Sequence, residues 1–165
     1  MSRAPYIRTM RDTETALWAA LRSRLWPDCG PEDNAEDIAA YRAGGPVKVV
    51  FLAFDGDDAP IGFAEISERS VVDSCGLDPA PYLEGWYVDP DWRGQGIGSA
   101  LIDSLIDIAR QHGIDAVQIG AAISNPRALE LYRRLGFQDW RRQMMDVGQG
   151  LELVIFLRKE VAGPS

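Results

Sequence analysis

Three glycines at alternate positions, Gly94, Gly96 and Gly98, separate an apolar run ending at Val88 from a helical stripe that begins at Leu101. This strand, glycine turn and helix start constrain the chain more than any other segment. Glycine allows left-handed backbone and close approach to a ligand. Successive N–H groups then converge on one anion, and the helix N-terminus adds partial positive charge. Arg93 brings a full charge beside them. A pyrophosphate suits such a loop. A P-loop would need Gly-Lys-Ser/Thr, which is missing here. A dinucleotide loop sets its third glycine one residue further on and opens a βαβ unit, whereas this loop lies mid-chain behind hairpin strands. Taken alone, the segment also fits a plain glycine-rich turn.

Periodicity supplies the flanking elements. A short strand is expected over 5–10, then a helix capped by Asp12 with Leu17, Trp18, Leu21 and Leu25 at helical spacing, closed by Pro27. A second helix is expected over 32–42. Strands follow at 47–54 and 61–67, joined by Asp55-Gly56-Asp57-Asp58. After a polar loop at 70–79 comes a strand at 82–88. Past the glycine loop, one stripe carries Leu101, Ile102, Leu105, Ile106 and Ala109 up to His112-Gly113. His112 reads as a helix-end residue. A strand at 116–121, a helix opened by Pro126 and closed by Gly136, and a hairpin of 138–147 with 151–158 complete the order. The tail 162–165 is expected to fray.

Composition narrows the function classes. The 165 residues carry 17 basic and 25 acidic side chains, a net charge of −8, which disfavours nucleic acid as a partner. Residues 26–90 hold 14 acids and 3 bases, while the rest of the chain is slightly basic. No apolar run approaches a membrane span, and no secretory h-region opens the chain. Cys29 and Cys75 lack metal-type spacing. Neither a disulfide framework nor a metal site is expected, and a reducing cytoplasm is.

Two separated motifs carry a family resemblance. Arg93-Gly94-Gln95-Gly96-Ile97-Gly98 is followed downstream by Asn125-Pro126-Arg127-Ala128 and Leu131-Tyr132-Arg133-Arg134-Leu135-Gly136-Phe137. Together they resemble the acetyl-CoA-binding segments of the GNAT N-acetyltransferase superfamily. The resemblance implies an α+β fold, with a single mixed, mostly antiparallel sheet flanked by helices on both faces, in one domain spanning 1–165. It implies acetyl-CoA as co-substrate and no metal. By position, Gly94, Gln95, Gly96, Ile97, Gly98 and Ser99 would hold the pyrophosphate beside Arg93. Tyr87 and Val88 would bond the pantetheine arm. The Val88 N–H would polarise the thioester carbonyl, an effect worth ~3 kcal/mol for a well-placed donor. Asn125 would contact the arm where the fourth and fifth strands splay. Tyr132 would protonate the departing CoA thiolate. Read from the residue alone, Tyr132 is equally a packed helix aromatic.

The N-terminal half has a narrower likeness. Leu21-Arg22 with Leu25-Trp26-Pro27-Asp28, Gly62-Phe63-Ala64-Glu65-Ile66-Ser67 with Arg69, and Tyr82-Leu83-Glu84-Gly85-Trp86-Tyr87-Val88 resemble aminoglycoside 6'-N-acetyltransferases. That likeness implies that Trp26 lines the acceptor site and that Glu84 lies near the reacting amine as its base. A cationic small-molecule amine suits the acidic half. The alternative readings are Trp26 as a core cap and Glu84 as a surface charge. Alternation would set Tyr82, Glu84 and Trp86 on one strand face. The chain departs from that group in three places. Ser70-Val71-Val72 replaces a usual Asp-Tyr-Val, Ile119-Gly120-Ala121 replaces a usual Ser-Asp-Thr, and Tyr132 stands where many carry His. A different polyamine, or a peptide or lysyl amine, is therefore the second reading, and a non-catalytic acyl-CoA sensor the third. The resemblance also implies a homodimer through the C-terminal strands. The apolar run 151–157 suits either an edge or a central strand.

Overall fold

The structure is a computed structural model that describes residues 3–28, 30–45, 47–69, 80–114, 116–146 and 150–161. Cys29, Cys75, the loop expected at 70–79, the Gly148-Gln149 turn and the tail at 162–165 lie outside the described residues. The elements run β1 (Tyr6–Thr9), α1 (Thr15–Leu25), α2 (Pro31–Arg42), β2 (Val47–Phe54), β3 (Pro60–Arg69), β4 (Ala80–Val88), α3 (Ile97–Gln111), β5 (Ala116–Ala122), α4 (Pro126–Arg134), β6 (Gln138–Asp146) and β7 (Leu151–Glu160). This is the expected order. The start of α1 differs from expectation. Asp12 does not cap it; Asp12–Glu14 form a 3₁₀ turn instead. Glu14 takes two 2.7 Å bonds from Arg8 and one of 2.8 Å from the Arg11 N–H, which tightens that first turn.

Among the described residues, seven strands form one sheet in the order β1-β2-β3-β4-β5-β7-β6. The sheet is mixed: β4 and β5 run parallel, and every other neighbouring pair is antiparallel. The parallel pair meets at a single register point, Tyr82 opposite Gln118. Beyond it, towards Val88 and Ala122, the ladder between these strands is broken. The run 151–157 is central, since β7 lies between β5 and β6, and β6 forms the outer edge.

Helices cover both faces. α3 buries Ile97, Leu101, Ile102, Leu105, Ile106 and Ala109 against Ala64, Ile66, Leu83, Ile119 and Leu157, and Leu129 of α4 joins the same core. Burying each large aliphatic side chain contributes roughly 1.5–3 kcal/mol. His112 is the C-cap of α3, as expected. On the other face, Trp18 and Leu21 of α1 pack on Val50, Leu52, Phe63 and Tyr87. β3 therefore divides its side chains, with Phe63 facing α1 and Ala64 and Ile66 facing α3.

Candidate active site

The glycine loop leaves β4 through a 3₁₀ turn at Pro90–Trp92 and enters α3 at Ile97. Gly94 and Gly96 hold φ of +79° and +86°, the left-handed region. A Cβ at either would meet nothing within 4 Å. Conformation, not lack of space, requires glycine there, and the loop's outer side stays open. Gly98 has a different job. A Cβ on it would lie 3.1 Å from the Trp86 ring, and the Trp86 indole N–H donates to the Gly98 carbonyl at 3.1 Å. Gly98 thus docks α3 onto β4. The Ala100 N–H bonds the Gly96 carbonyl at 3.0 Å, which leaves the preceding donors of Ile97, Gly98 and Ser99 in the unsatisfied first turn. Arg93 turns inward: its Nε donates to the Val88 carbonyl at 2.8 Å, and its guanidinium lies 5.7 Å from the Tyr87 ring.

Strand register fixes the direction of the Val88 amide. Gly62 pairs with Val88, and the next residue, Asp89, donates to the Ile61 carbonyl at 2.7 Å. Antiparallel ladders alternate bonded and non-bonded pairs. The Val88 N–H and carbonyl therefore point away from β3, into the gap where β4 has parted from β5. Arg93 takes the carbonyl.

α4 sits across that gap. Asn125 is its N-cap, with its side-chain oxygen accepting the Ala128 N–H at 3.2 Å. Tyr132, half-buried, packs its ring 6.0 Å from Trp86 and 6.5 Å from Phe137. Burial pushes its phenol above the usual 10, so the hydroxyl keeps its proton across the physiological range. Tyr132 is thus a packed aromatic whose hydroxyl stays protonated.

On the opposite face of β4 lies a cavity of about 240 Å³ lined by Arg22, Trp26, Asp37, Tyr41, Glu65 and Glu84, among others. Trp26 and Glu84 both line this cavity. The expected face-sharing of Glu84 with Trp86 does not hold. Glu65 pairs with Gly85 and Ile66 with Leu83, so Glu84 is an extra, bulged residue. A bulge reverses the alternation. Glu84 faces the cavity and accepts the Ser67 hydroxyl at 2.7 Å, whereas Trp86 faces α3 and α4. Gly85 is the second device at the bulge: a Cβ there would lie 2.9 Å from Glu65 and from the Trp26 ring.

The cavity holds three carboxylates against one guanidinium. Glu65 is buried (1% exposed). It binds the Arg22 Nη1 at 2.5 and 2.7 Å. Arg22 Nη2 bonds Asp37, and its Nε reaches Asn34 at 3.4 Å. Burial pushes the Glu65 carboxyl up to about 7, against the pull of Arg22. Arg22 and Glu65 both stand in the blocks that carry the narrower resemblance, which gives neither of them a role. The available signal was a charge at a core position of β3 (Phe63, Glu65, Ser67 on one face), which needs a buried partner. The half-chain charge contrast is also muted. Arg24 from α1 pairs with Asp89, while Arg133 and Arg134 pair with Asp139 and Glu130.

At Gly120, a Cβ would lie 2.7 Å from the Tyr82 hydroxyl and 3.0 Å from Phe156. Tyr82 fills that space. Residues 70–72 lie outside the described residues. Among the described residues, no group of three His, Cys, Asp or Glu is placed to hold a metal ion, and no helix is long and apolar enough to cross a membrane.

The pattern of the "Acetyltransferase (GNAT) family" matches residues 14–137. The chain belongs to this family. It is an acetyl-CoA-dependent N-acetyltransferase of GNAT fold. An aminoglycoside N(6')-acetyltransferase type 1 of Stenotrophomonas maltophilia is 34% identical over 140 residues, covering 84% of this chain and 90% of that one. The enzyme of the same name from Klebsiella aerogenes is 30% identical, covering 84% and 93%. Among solved structures, the aminoglycoside acetyltransferase AAC(6')-Iy in complex with a CoA-S-monomethyl-acetylneamine bisubstrate analogue superposes with a TM-score of 0.76 at 26% identity, covering 87% of this chain and 97% of that one. The Escherichia coli ribosomal-protein-S18-alanine N-acetyltransferase shares the fold, with a TM-score of 0.72 at 21% identity.

Proposed function

We propose that this GNAT enzyme transfers the acetyl group of acetyl-CoA to the 6'-amine of an aminoglycoside, directly, in a ternary complex. The observation that carries the reading is the acidic, Trp26-walled cavity on β4, on the strand whose end turns the Val88 N–H into the β4–β5 gap. Its lining sets Asp37, Glu65 and Glu84 against the single guanidinium of Arg22, an acidic balance that favours a polycationic amine. The 34% identical relative supports the substrate class.

In this account, N–H groups from Gly94 to Ser99 bind the pyrophosphate, and Asn125 and the strand end at Tyr87 and Val88 align the pantetheine arm. Glu84, directly or through water, takes a proton from the acceptor ammonium. The amine nitrogen then bonds to the thioester carbon, and the Val88 N–H stabilises the developing oxyanion. When the carbon–sulfur bond breaks, Tyr132 gives its proton to the thiolate and regains one from the new amide nitrogen. Trp26 stacks on the sugar ring. The net reaction releases CoA thiol and one proton per amide formed.

The second reading, acetylation of another polyamine or of a peptide amine, is favoured by Gly120, whose space Tyr82 takes. A thiol-release screen separates the two. Saturable CoA release with kanamycin- and tobramycin-like acceptors supports the aminoglycoside; release with spermidine or peptides alone overturns it. The proposal extends to one domain over 1–165, a cytoplasmic location and a homodimer. The outer strand β6 and the exposed Met144 and Leu151 near its hairpin end favour association there, and sedimentation tests it.

A further inference from the structure

Arg22 is the one cation among the cavity's lining residues, and its whole fork is engaged. Nη1 binds Glu65 of β3, Nη2 binds Asp37 of α2, and Nε reaches Asn34. Its guanidinium also lies 5.3 Å from the ring of Trp18 in the same helix and 4.9 Å from the ring of Trp26 at that helix's C-cap. The three side chains share one stripe because they are four residues apart. Trp18 is fully buried; Trp26 is the C-cap of α1, where Arg22, Phe63 and the close approach of Gly85 pack against it.

We propose that Arg22 is the positioning residue of the acceptor wall: it holds Trp26 and Asp37 in place for the acceptor while Glu65 cancels its charge. The inference rests on the acceptor reading of this cavity. Arg22 acts through Trp26 and Asp37 and takes no part in the transfer itself. A lysine keeps the charge but lacks the planar fork and the stacking face, so charge alone cannot replace it.

The test uses Arg22→Lys, Arg22→Gln and the double variant Arg22→Gln/Glu65→Gln, with KM measured separately for acceptor and acetyl-CoA. Both single variants should raise acceptor KM by about tenfold or more, with the acetyl-CoA KM within about twofold of wild type. The single Gln variant strands a buried carboxylate and will melt lower. The double variant removes both members of the pair, so no carboxylate is stranded and the melting temperature recovers. Its acceptor KM should stay raised, because Trp26 has still lost its support. An acceptor KM that returns with stability, or single variants that lose melting temperature while acceptor KM is unchanged, would overturn the proposal. Failure of the aminoglycoside reading looks different: wild type then turns over another amine, and the same comparison is run with that amine.

Discussion

Replacing Gly85 by alanine strikes the acceptor wall where space is tightest. The new Cβ would lie 2.9 Å from Glu65 Cγ, Glu65 Oε1 and Trp26 Cη2 at once, against ~3.5–4.0 Å for ordinary carbon contacts. Glu65 cannot swing aside, because Arg22 grips it at 2.5 and 2.7 Å. The relief must come from Trp26 or from the bulge itself. Overpacking of this kind costs about 1–3 kcal/mol. For a chain of this length that is a fall in melting temperature of roughly 3–10 °C. Gly30→Ala is the comparison variant, since its φ is −78° and a Cβ there meets nothing within 4 Å; its cost is that of a weaker N-cap on α2, without overpacking. Thermal melts of both variants, with acceptor KM measured alongside, decide the matter. Gly85→Ala should lose stability and acceptor affinity together, while Gly30→Ala keeps acceptor affinity whatever small stability its weaker cap loses. If Gly85→Ala melts and binds acceptor like wild type, the packing of Trp26 against the bulge is wrong.

Tyr132→Phe should lower kcat by roughly 10²-fold while calorimetric CoA affinity is retained; because burial raises the phenol above 10, loss of its proton should not limit activity below that pH. Gly96→Ala must hold φ +86° at a cost of about 1–2 kcal/mol, read as a lower melting temperature and a weaker CoA Kd. Glu14 is held at about 2 by Arg8, so its stabilisation is present above its ordinary 4.5 and is lost as pH falls towards 2; Glu14→Gln should flatten the acid limb of a melting-temperature profile. Glu65 works in the opposite sense. Its folded value of about 7 exceeds 4.5, so stability declines as pH rises between these values, and Glu65→Gln should remove that slope.

Helical spacing and turn residues were enough to place the elements, because α3's stripe and the β2–β3 hairpin are written in local pattern. The loop motif likewise placed Gly94 and Gly96, whose positive φ nothing but glycine holds without strain. Three features were not legible. The bulge at Glu84 depends on register with β3, and it sends Trp86 to the other face although the sequence alternates smoothly. The seat of β7 inside the sheet depends on a strand order that local pattern does not encode. The Arg22–Glu65 pair joins α1 to β3 across 43 residues, so each partner looked like an ordinary charge until the helix was laid on the sheet. Arg93 carries a further contact that local pattern does not encode: its Nε donates to the Val88 carbonyl.

The central claim is transfer to the 6'-amine, and a matched acceptor pair tests it most directly. Neomycin and paromomycin differ only in bearing an amine or a hydroxyl at that position. Acetyl-CoA turnover followed by free thiol, with the product's acetyl group located by NMR, should give saturable release and a single 6'-N-acetyl group with neomycin, and no turnover with paromomycin. Equal turnover of the two, or acetylation at another nitrogen, would contradict the account.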